Sequence, residues 1–519
     1  MGFMTQLKTQ LDNEVQRTEN GAIGYRTTGK KLLDLNFSAA SLRSATERQI
    51  IDKFMDAYYE NPVLAIKWLF YARDVREGLG ERRLFRTVFH WLAEGHADAA
   101  HNVLKFIPEY GRYDDLLCAF DTVLQGEVLN IIKTQLDTDA HNMKNNKPIS
   151  LLAKWLPSEN ASSAETKRLA TAIRTKLGMT SRNYRKMLSE MRKYIDVVER
   201  KMSAKQWNEI DYEAVPSRAN LIYNNAFLRN DEERRREYLG ALEKGEVKIN
   251  AGTLYPHDIV HKYGVSRYDP RHYDATLEGL WKALPDTVNG NGNNIVVADG
   301  SGSMTCNVGG NTSVTALDVA NALAIYFAER SSGEFKDKYI TFSHKPQLVD
   351  FSKAKTLREK IQIALHYNEV ANTNIEAVFD LILRTAVNNH MSQEDMPKNI
   401  LIISDMEFDA CATTNTTSRS TDRLGYRSYA PTATLFNAIA QKYAEHGYQI
   451  PRLVFWNVNS RTGTIPVKEN DLGVALVSGF SVNIVNMVMY DKLDPYECLI
   501  DVLNTERYQP IEDAIKDVV

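Results

Sequence analysis

Along the first half of the chain the apolar positions recur at helical spacing. Ile50, Phe54 and Ala57 lie three or four residues apart, which puts them on one face of an α-helix. Asn61-Pro62 opens a second helix, with proline in the first turn, where a helix has no use for its missing N–H. Ala65, Trp68 and Leu69 carry that helix towards Gly78-Leu79-Gly80. Leu84, Val88, Trp91 and Leu92 mark a third, and Gly95 and Gly111 punctuate the stretch beyond it. Trp155-Leu156-Pro157-Ser158 breaks the pattern, 162–206 resumes it, and helical signals persist to about residue 245. Helices of two to four turns joined by short glycine or proline loops predict a HEAT-like α-helical repeat region in which helix pairs stack.

The pattern changes after Asn289-Gly290-Asn291-Gly292-Asn293, a compact linker. Continuous apolar runs at 295–298, 338–343, 347–351, 399–404 and 452–457 now alternate with helical stretches at 315–330, 355–366, 375–388 and 432–446. A last sheet–helix segment covers 474–503. Strand–helix alternation at this spacing predicts a parallel, doubly wound α/β sheet. The expected organisation is a helical region over 1–288 followed by an α/β domain over 289–519.

Two of the predicted strands end in aspartate. The run 295–298 leads into Asp299-Gly300-Ser301-Gly302-Ser303, and 399–404 leads into Asp405. Ala371-Asn372-Thr373-Asn374-Ile375-Glu376, before the 375–388 helix, brings a further hydroxyl. Residues at the carboxyl ends of strands line the ligand crevice of open α/β sheets. Carboxylates and hydroxyls are the oxygen donors that a hard divalent cation prefers. The pattern D-x-S-x-S, then T, then D resembles a von Willebrand factor A domain with its metal-ion-dependent adhesion site. The resemblance implies that Asp299, Ser301, Ser303, Thr373 and Asp405 hold Mg²⁺ or Mn²⁺. So sparse a set of carboxylates would leave the cation electrophilic enough to accept a carboxylate or phosphate from a partner. The polar loop 409–431, with Arg419, Arg423, Tyr426, Arg427 and Tyr429, comes after Asp405 and is expected to rim the site.

The formal charge is −3 over 519 residues, so the whole molecule gives no nucleic-acid footprint. Local charge does. Residues 151–206 contain 13 Lys and Arg against 5 Asp and Glu. Lys167, Arg168, Arg174, Lys176, Arg182, Arg185, Lys186, Arg192 and Lys193 carry most of it, with Tyr184 and Tyr194 interleaved. A basic patch with aromatics suits a phosphate backbone; a solvated helix face balanced by acidic neighbours is the alternative. Arg73, Arg76, Arg82 and Arg83 form a second basic group, for which local pairing with Asp74, Glu77 and Glu81 is the competing expectation.

The order of helical array and A-type domain is similar to that of the Ro ribonucleoprotein family, the TROVE-module proteins. The stretches Thr18–Ala22, Tyr71–Arg82, Glu109–Leu116, Lys154–Asn160 and Val215–Ser217 resemble an uncharacterised relative of that family. The resemblance implies a ring of helices closed by the A-type domain, and an RNA-binding ribonucleoprotein scaffold for small structured or misfolded RNA. The metal site would then serve a second, acidic partner. The alternative is a protein–protein interaction module that uses the metal site without RNA.

Enzymatic activity is not expected, because no nucleophile–base constellation is legible in the sequence. His257 and His261, at i and i+4, lack the glutamate of a zincin helix and read as structural or exposed. The four cysteines, Cys118, Cys306, Cys411 and Cys498, are far apart, which suits a reducing cytoplasm. No signal peptide or membrane span is expected.

Overall fold

The structure is a computed structural model, which describes residues 15–263, 272–288, 294–309, 312–369, 372–409, 417–421, 427–431, 435–466, 474–484 and 494–519. The expected linker 289–293, Cys411, Arg423 and Tyr426 lie outside them. A helical region is followed by a mixed α/β sheet domain, but the chain's two compact units do not divide at 288/289. Among the described residues, one comprises those of 15–49, 53–61 and 254–504; the other comprises those of 50–52, 62–253 and 505–519. The linear expectation misses two segments whose partners lie hundreds of residues away.

In the helical unit, Pro62–Arg73 is buried all round from Ala65 to Arg73, as expected of a central helix. Arg82–Gly95 buries one stripe, Leu84, Phe85, Val88, Phe89, Leu92 and Ala93. It packs on Pro62–Arg73 and on Ala97–Leu104. Helix Gln509–Ile515 joins this group, with Ile511 and Ile515 buried and Glu512 bonded to the buried Lys67 at 2.5 Å. The helices range from four residues, Leu152–Trp155, to twenty, Gln125–Lys144, so the described residues do not repeat one fixed unit.

Buried ion pairs lock this unit. Arg73 does not pair locally; its Nε and Nη2 reach Asp115 Oδ2 at 2.8 and 2.6 Å, and Arg86 Nε reaches Oδ1 at 2.6 Å. Gly111 leaves room for them: a Cβ there would stand 2.6 Å from Asp115 Oδ2 and 2.8 Å from Arg73 Nε. Asp74 binds the Arg507 guanidinium and accepts from Tyr508 Oη at 3.1 Å. At Arg73 and Asp74 tertiary partners have replaced the expected helical neighbours because both residues are buried.

The other unit is built on a six-stranded sheet. Its strands are β3 (Asn294–Asp299), β4 (Lys338–Phe342), β5 (Gln347–Asp350), β6 (Asn399–Ser404), β9 (Arg452–Asn457) and β10 (Val474–Ser478), ordered β10-β9-β6-β3-β4-β5. β5 runs antiparallel to β4 and the other pairs are parallel. The sheet is therefore mixed, not wholly parallel. Only residues 343–346 separate β4 from β5, far too few for a parallel crossover. The central strands are buried, Ile400–Ile403 and Leu453–Trp456 completely so, which is why they read as unbroken apolar runs. Helix Ala316–Arg330, started by a Thr315/Asp318 capping box, packs on β3, β4 and β6.

The N-terminal segment belongs to this unit. β1 (Val15–Arg17) and β2 (Ile23–Tyr25) form a hairpin, and Tyr25 exchanges backbone hydrogen bonds with Ile465, both 2.8 Å. Asn457 Nδ2 donates to Phe37 O at 2.9 Å, and Ser478 Oγ accepts from Ala40 N at 2.9 Å. Part of the expected loop 409–431 is a second hairpin, β7 (Thr417–Thr421) with β8 (Arg427–Pro431). No described helix is long and apolar enough to cross a membrane.

Candidate metal centre

β3 is the central strand from which the chain turns both ways, to β4 on one side and later to β6 on the other. The carboxyl ends of β3 and β6 therefore flank the topological switch point, where open α/β sheets bind ligands. Asp299 ends β3 and Asp405 comes directly after β6; each is 1 % exposed.

The turn after β3 folds back on its own aspartate. Ser301 N donates to Asp299 Oδ1 at 2.9 Å, and Ser404 Oγ donates to Oδ2 at 2.6 Å. Ser301 and Ser303 hydroxyls lie 3.0 Å apart, and the Ser303 side chain hydrogen-bonds Asp405. After β6 the backbone reverses at Met406, with φ at 64°, a left-handed conformation uncommon for a side chain this large. That reversal is held by Met406 N donating to Ser404 Oγ at 3.0 Å. Thr373 is buried, and its carbonyl accepts from Asp409 N at 3.0 Å. The structure thus brings all five expected residues to one end of the sheet.

Burial, only partly offset by hydrogen bonds from Ser404 and Ser301, pushes the Asp299 carboxyl up to about 6. Burial and then the Asp299 charge push Asp405 up to about 7. Two acids that resist ionising side by side are a place where positive charge is favoured. Among the described residues no group of three or more His, Cys, Asp and Glu is arranged for a metal. The donors gathered here are of another kind, two carboxylates and three hydroxyls.

Four further residues complete the site and are not legible in the sequence as site residues. Glu407, wholly buried, accepts at Oε1 from the backbone N of Arg461 (3.1 Å) and Thr462 (2.9 Å), and at Oε2 from Glu19 N (2.9 Å). Asn20 Nδ2 donates to Glu407 O at 2.6 Å and to Thr373 Oγ1 at 3.3 Å. Arg461 Nη2 lies 2.8 Å from Glu19 Oε2 and 3.6 Å from Asp405 Oδ2. The stretch Thr18–Ala22, which carries a family resemblance, is held against the loop after β6 and against Thr373. Arg461 has no signal in the sequence at all.

Residues 293–512 match the family described as a domain of unknown function (DUF7788). Residues 18–128 and 174–293 match another described as a domain of unknown function (DUF2828). The chain is also 30% identical to the uncharacterized protein L728 of Acanthamoeba polyphaga mimivirus, over 95% of this chain and 88% of that protein. The chain belongs to this family. Among solved structures, the Deinococcus radiodurans RO (RSR) protein shares 13% identity over 86% of this chain and 91% of its own, with a TM-score of 0.33. That value is too low to carry an argument about fold or function.

The nine basic residues of 167–193 meet different fates. Arg168 pairs with Asp121 and Glu165, at 2.6 and 2.8 Å. Arg174 Nε binds Glu159 at 2.7 Å. Arg192 donates to Ala153 O, Leu156 O and Ser158 Oγ, all at 2.8 Å, and so holds the Lys154–Asn160 stretch in shape. Lys167, Lys176, Arg182, Arg185, Lys186 and Lys193 are exposed. Tyr184 is buried, its hydroxyl on Pro157 O, whereas Tyr194 is exposed.

The two histidines have separate surroundings. His257 stacks on Tyr255 and meets the Phe480 edge. His261 lies between Ser313 Oγ, 2.8 Å from Nε2, and Asp318 Oδ2, 3.1 Å from Nδ1. This hydroxyl–imidazole–carboxylate chain joins residues that no sequence motif connects.

Proposed function

We propose that the chain is a non-catalytic binding scaffold. Its α/β unit holds Mg²⁺ or Mn²⁺ on Asp299, Ser301, Ser303, Thr373 and Asp405 and presents the cation to an acidic group. The observation that carries this reading is the meeting of two buried carboxylates with the Ser301 and Ser303 hydroxyls at the sheet's switch point. That donor set fits a hard dication with coordination positions left for water or an incoming oxygen. It also fits the von Willebrand factor A pattern carried by the sequence. When bound, the cation would supply an electrophile for a carboxylate or phosphate. The residues of the chain position it: Ser404 orients Asp299, and the turn at Met406 orients Asp405.

The same reading gives the helical region RNA as its ligand, in the manner of the Ro proteins that the sequence resembles. Support comes from the exposed lysines and arginines of helices Ala164–Lys176 and Ser181–Tyr194, which suit phosphates. The cytoplasm is the proposed location. Among the described residues Cys118 and Cys306 are free thiols, the state that compartment maintains.

One observation favours a different reading. Ser313, His261 and Asp318 stand in the order that serine hydrolases use. Against it, Asp318 Oδ2 also accepts the Thr315 amide at 2.9 Å as part of a helix cap, and Ser313 is exposed.

Two measurements test the scaffold. Mn²⁺ should bind the wild type and fail to bind Asp299→Ala. Protein purified at low salt should carry small RNA, seen as a raised absorbance ratio and identified by sequencing. Wild type that ignores Mn²⁺ removes the metal site. Protein that carries no RNA, and ignores added structured RNA across a salt series, leaves the protein–protein interaction module.

A further inference from the structure

The cation reading has an unexpected neighbour, a positive charge that the chain itself places at the site. The Arg461 guanidinium touches Asp405 on one side and Glu19 on the other through the same nitrogen, Nη2. Both Arg461 and Glu19 are anchored from below by one buried group. Glu407 fixes the backbone of Arg461 through Oε1 and the backbone of Glu19 through Oε2. Asn20, next along, reaches Thr373. The Thr18–Ala22 segment is sewn down further by Thr18 Oγ1 donating to Phe408 O at 2.6 Å and by a bridge between Gly21 and Asp409. The segment's acid is thus held beside the candidate cation site by backbone, while its side chain is paired to Arg461.

We propose that Glu19 is the site's own acidic ligand and that Arg461 holds its place until a cation arrives. The proposal rests on the metal reading. A dication bound at Asp405 and the Arg461 guanidinium cannot both lie against that carboxylate without strong repulsion. Arg461 is the one that can leave, because its long side chain is 32% exposed and its backbone alone is fixed by Glu407. Glu19 cannot go with it, because its amide is tied to Glu407. Its carboxylate is then left beside a dication that lacks negative ligands, and it binds there. The exchange is one of partners only: Arg461 moves from two carboxylates into water, and the cation takes both. An external acidic partner would have to displace Glu19, so the loaded site is closed to weak acids and open to those that bind more strongly than a tethered glutamate.

The full chain can be titrated with Mn²⁺ alone, with free Mn²⁺ monitored by electron paramagnetic resonance. Arg461→Ala removes the competing charge and should tighten binding about fivefold, the scale of a partly exposed ion pair. Arg461→Lys keeps the charge and should stay near wild type. Glu19→Gln removes a charged ligand with little change of shape and should weaken binding by about tenfold. If wild type binds Mn²⁺ and either Arg461→Ala or Glu19→Gln matches it, the exchange is overturned and the metal site stands. If wild type binds no Mn²⁺ at all, the metal reading fails first and takes the exchange with it.

Discussion

Arg73 and Asp115, 42 positions apart, meet inside the helical unit with two guanidinium nitrogens on one carboxylate oxygen. Their side chains are 1% and 0% exposed. Removing one partner of such a pair leaves a buried charge without compensation, at a cost of about 3–5 kcal/mol. Asp115→Ala should therefore lower the urea midpoint of the helical unit steeply. Gly111→Ala should also destabilise it, because the added methyl would press on the same pair. A midpoint unchanged in both would show that the pair does not hold the unit together.

The candidate metal site predicts a pH dependence. Asp299 and Asp405 have carboxyls raised to about 6 and about 7 in the folded chain, against about 4 when unfolded. The folded state then holds protons that the unfolded state has released. Stability is accordingly full only below about pH 4 and is lost as pH rises from there through 6 to 7. Without cation, thermal stability should fall between about pH 4 and 7 and level off above. Saturating Mg²⁺ should oppose the fall, by about 2.7 kcal/mol at a hundred times its dissociation constant, and should help more at pH 8 than at pH 5. Asp405→Asn should flatten both trends in a differential scanning experiment.

The basic helices predict a split among residues of one charge. Reversing Lys167, Lys176, Arg182 and Lys193 together should weaken RNA binding and flatten its salt slope by about one unit per lost phosphate contact, with the fold intact. Arg192→Ala should instead destabilise the Lys154–Asn160 stretch, because it leaves three acceptors without their donor. Circular dichroism beside a salt titration separates the two. Equal loss of RNA affinity without loss of structure in Arg192→Ala would place that residue in the interface.

Ser313 tests the absence of catalysis. In the scaffold reading its bond to His261 is a helix-end contact, and a fluorophosphonate probe should leave Ser313 unlabelled at pH 8. Labelling that disappears in His261→Ala would make the group a nucleophile and its base.

The sheet's central strands and the two aspartates that follow their apolar runs are legible in the sequence for the same reason. Both are local: Val296 to Asp299 and Ile400 to Asp405 each carry burial and chemistry in a single run. The features that stay hidden are set by contacts of long range. β5 turns antiparallel because of a short connection, and hydrophobicity says nothing about strand direction. Arg192 looks like a phosphate contact because charge is visible and three oxygen acceptors are not. Arg461 reaches Glu19 across hundreds of residues and Asp405 across dozens, and no spacing rule links them. The glutamate of Thr18–Ala22 stands out only as part of a recurring stretch, whose purpose appears once Glu407 is seen to hold it.

The division of the chain into units has a bearing on how it is made. Residues 505–519 complete the unit whose body is 62–253, and residues 15–49 complete the one whose body is 254–504. Emerging from a ribosome, the helical core cannot close until the far end of the chain is made, and the opening segment stays without its partner until the body of its own unit follows. The helical body must wait for helix Gln509–Ile515, and the opening hairpin must wait for Ile465. Contacts of such separation slow folding and leave apolar surface uncovered in the meantime. A fragment cut at residue 288 would leave both cores open, so dissection of this protein calls for circularly rearranged or whole chains rather than halves.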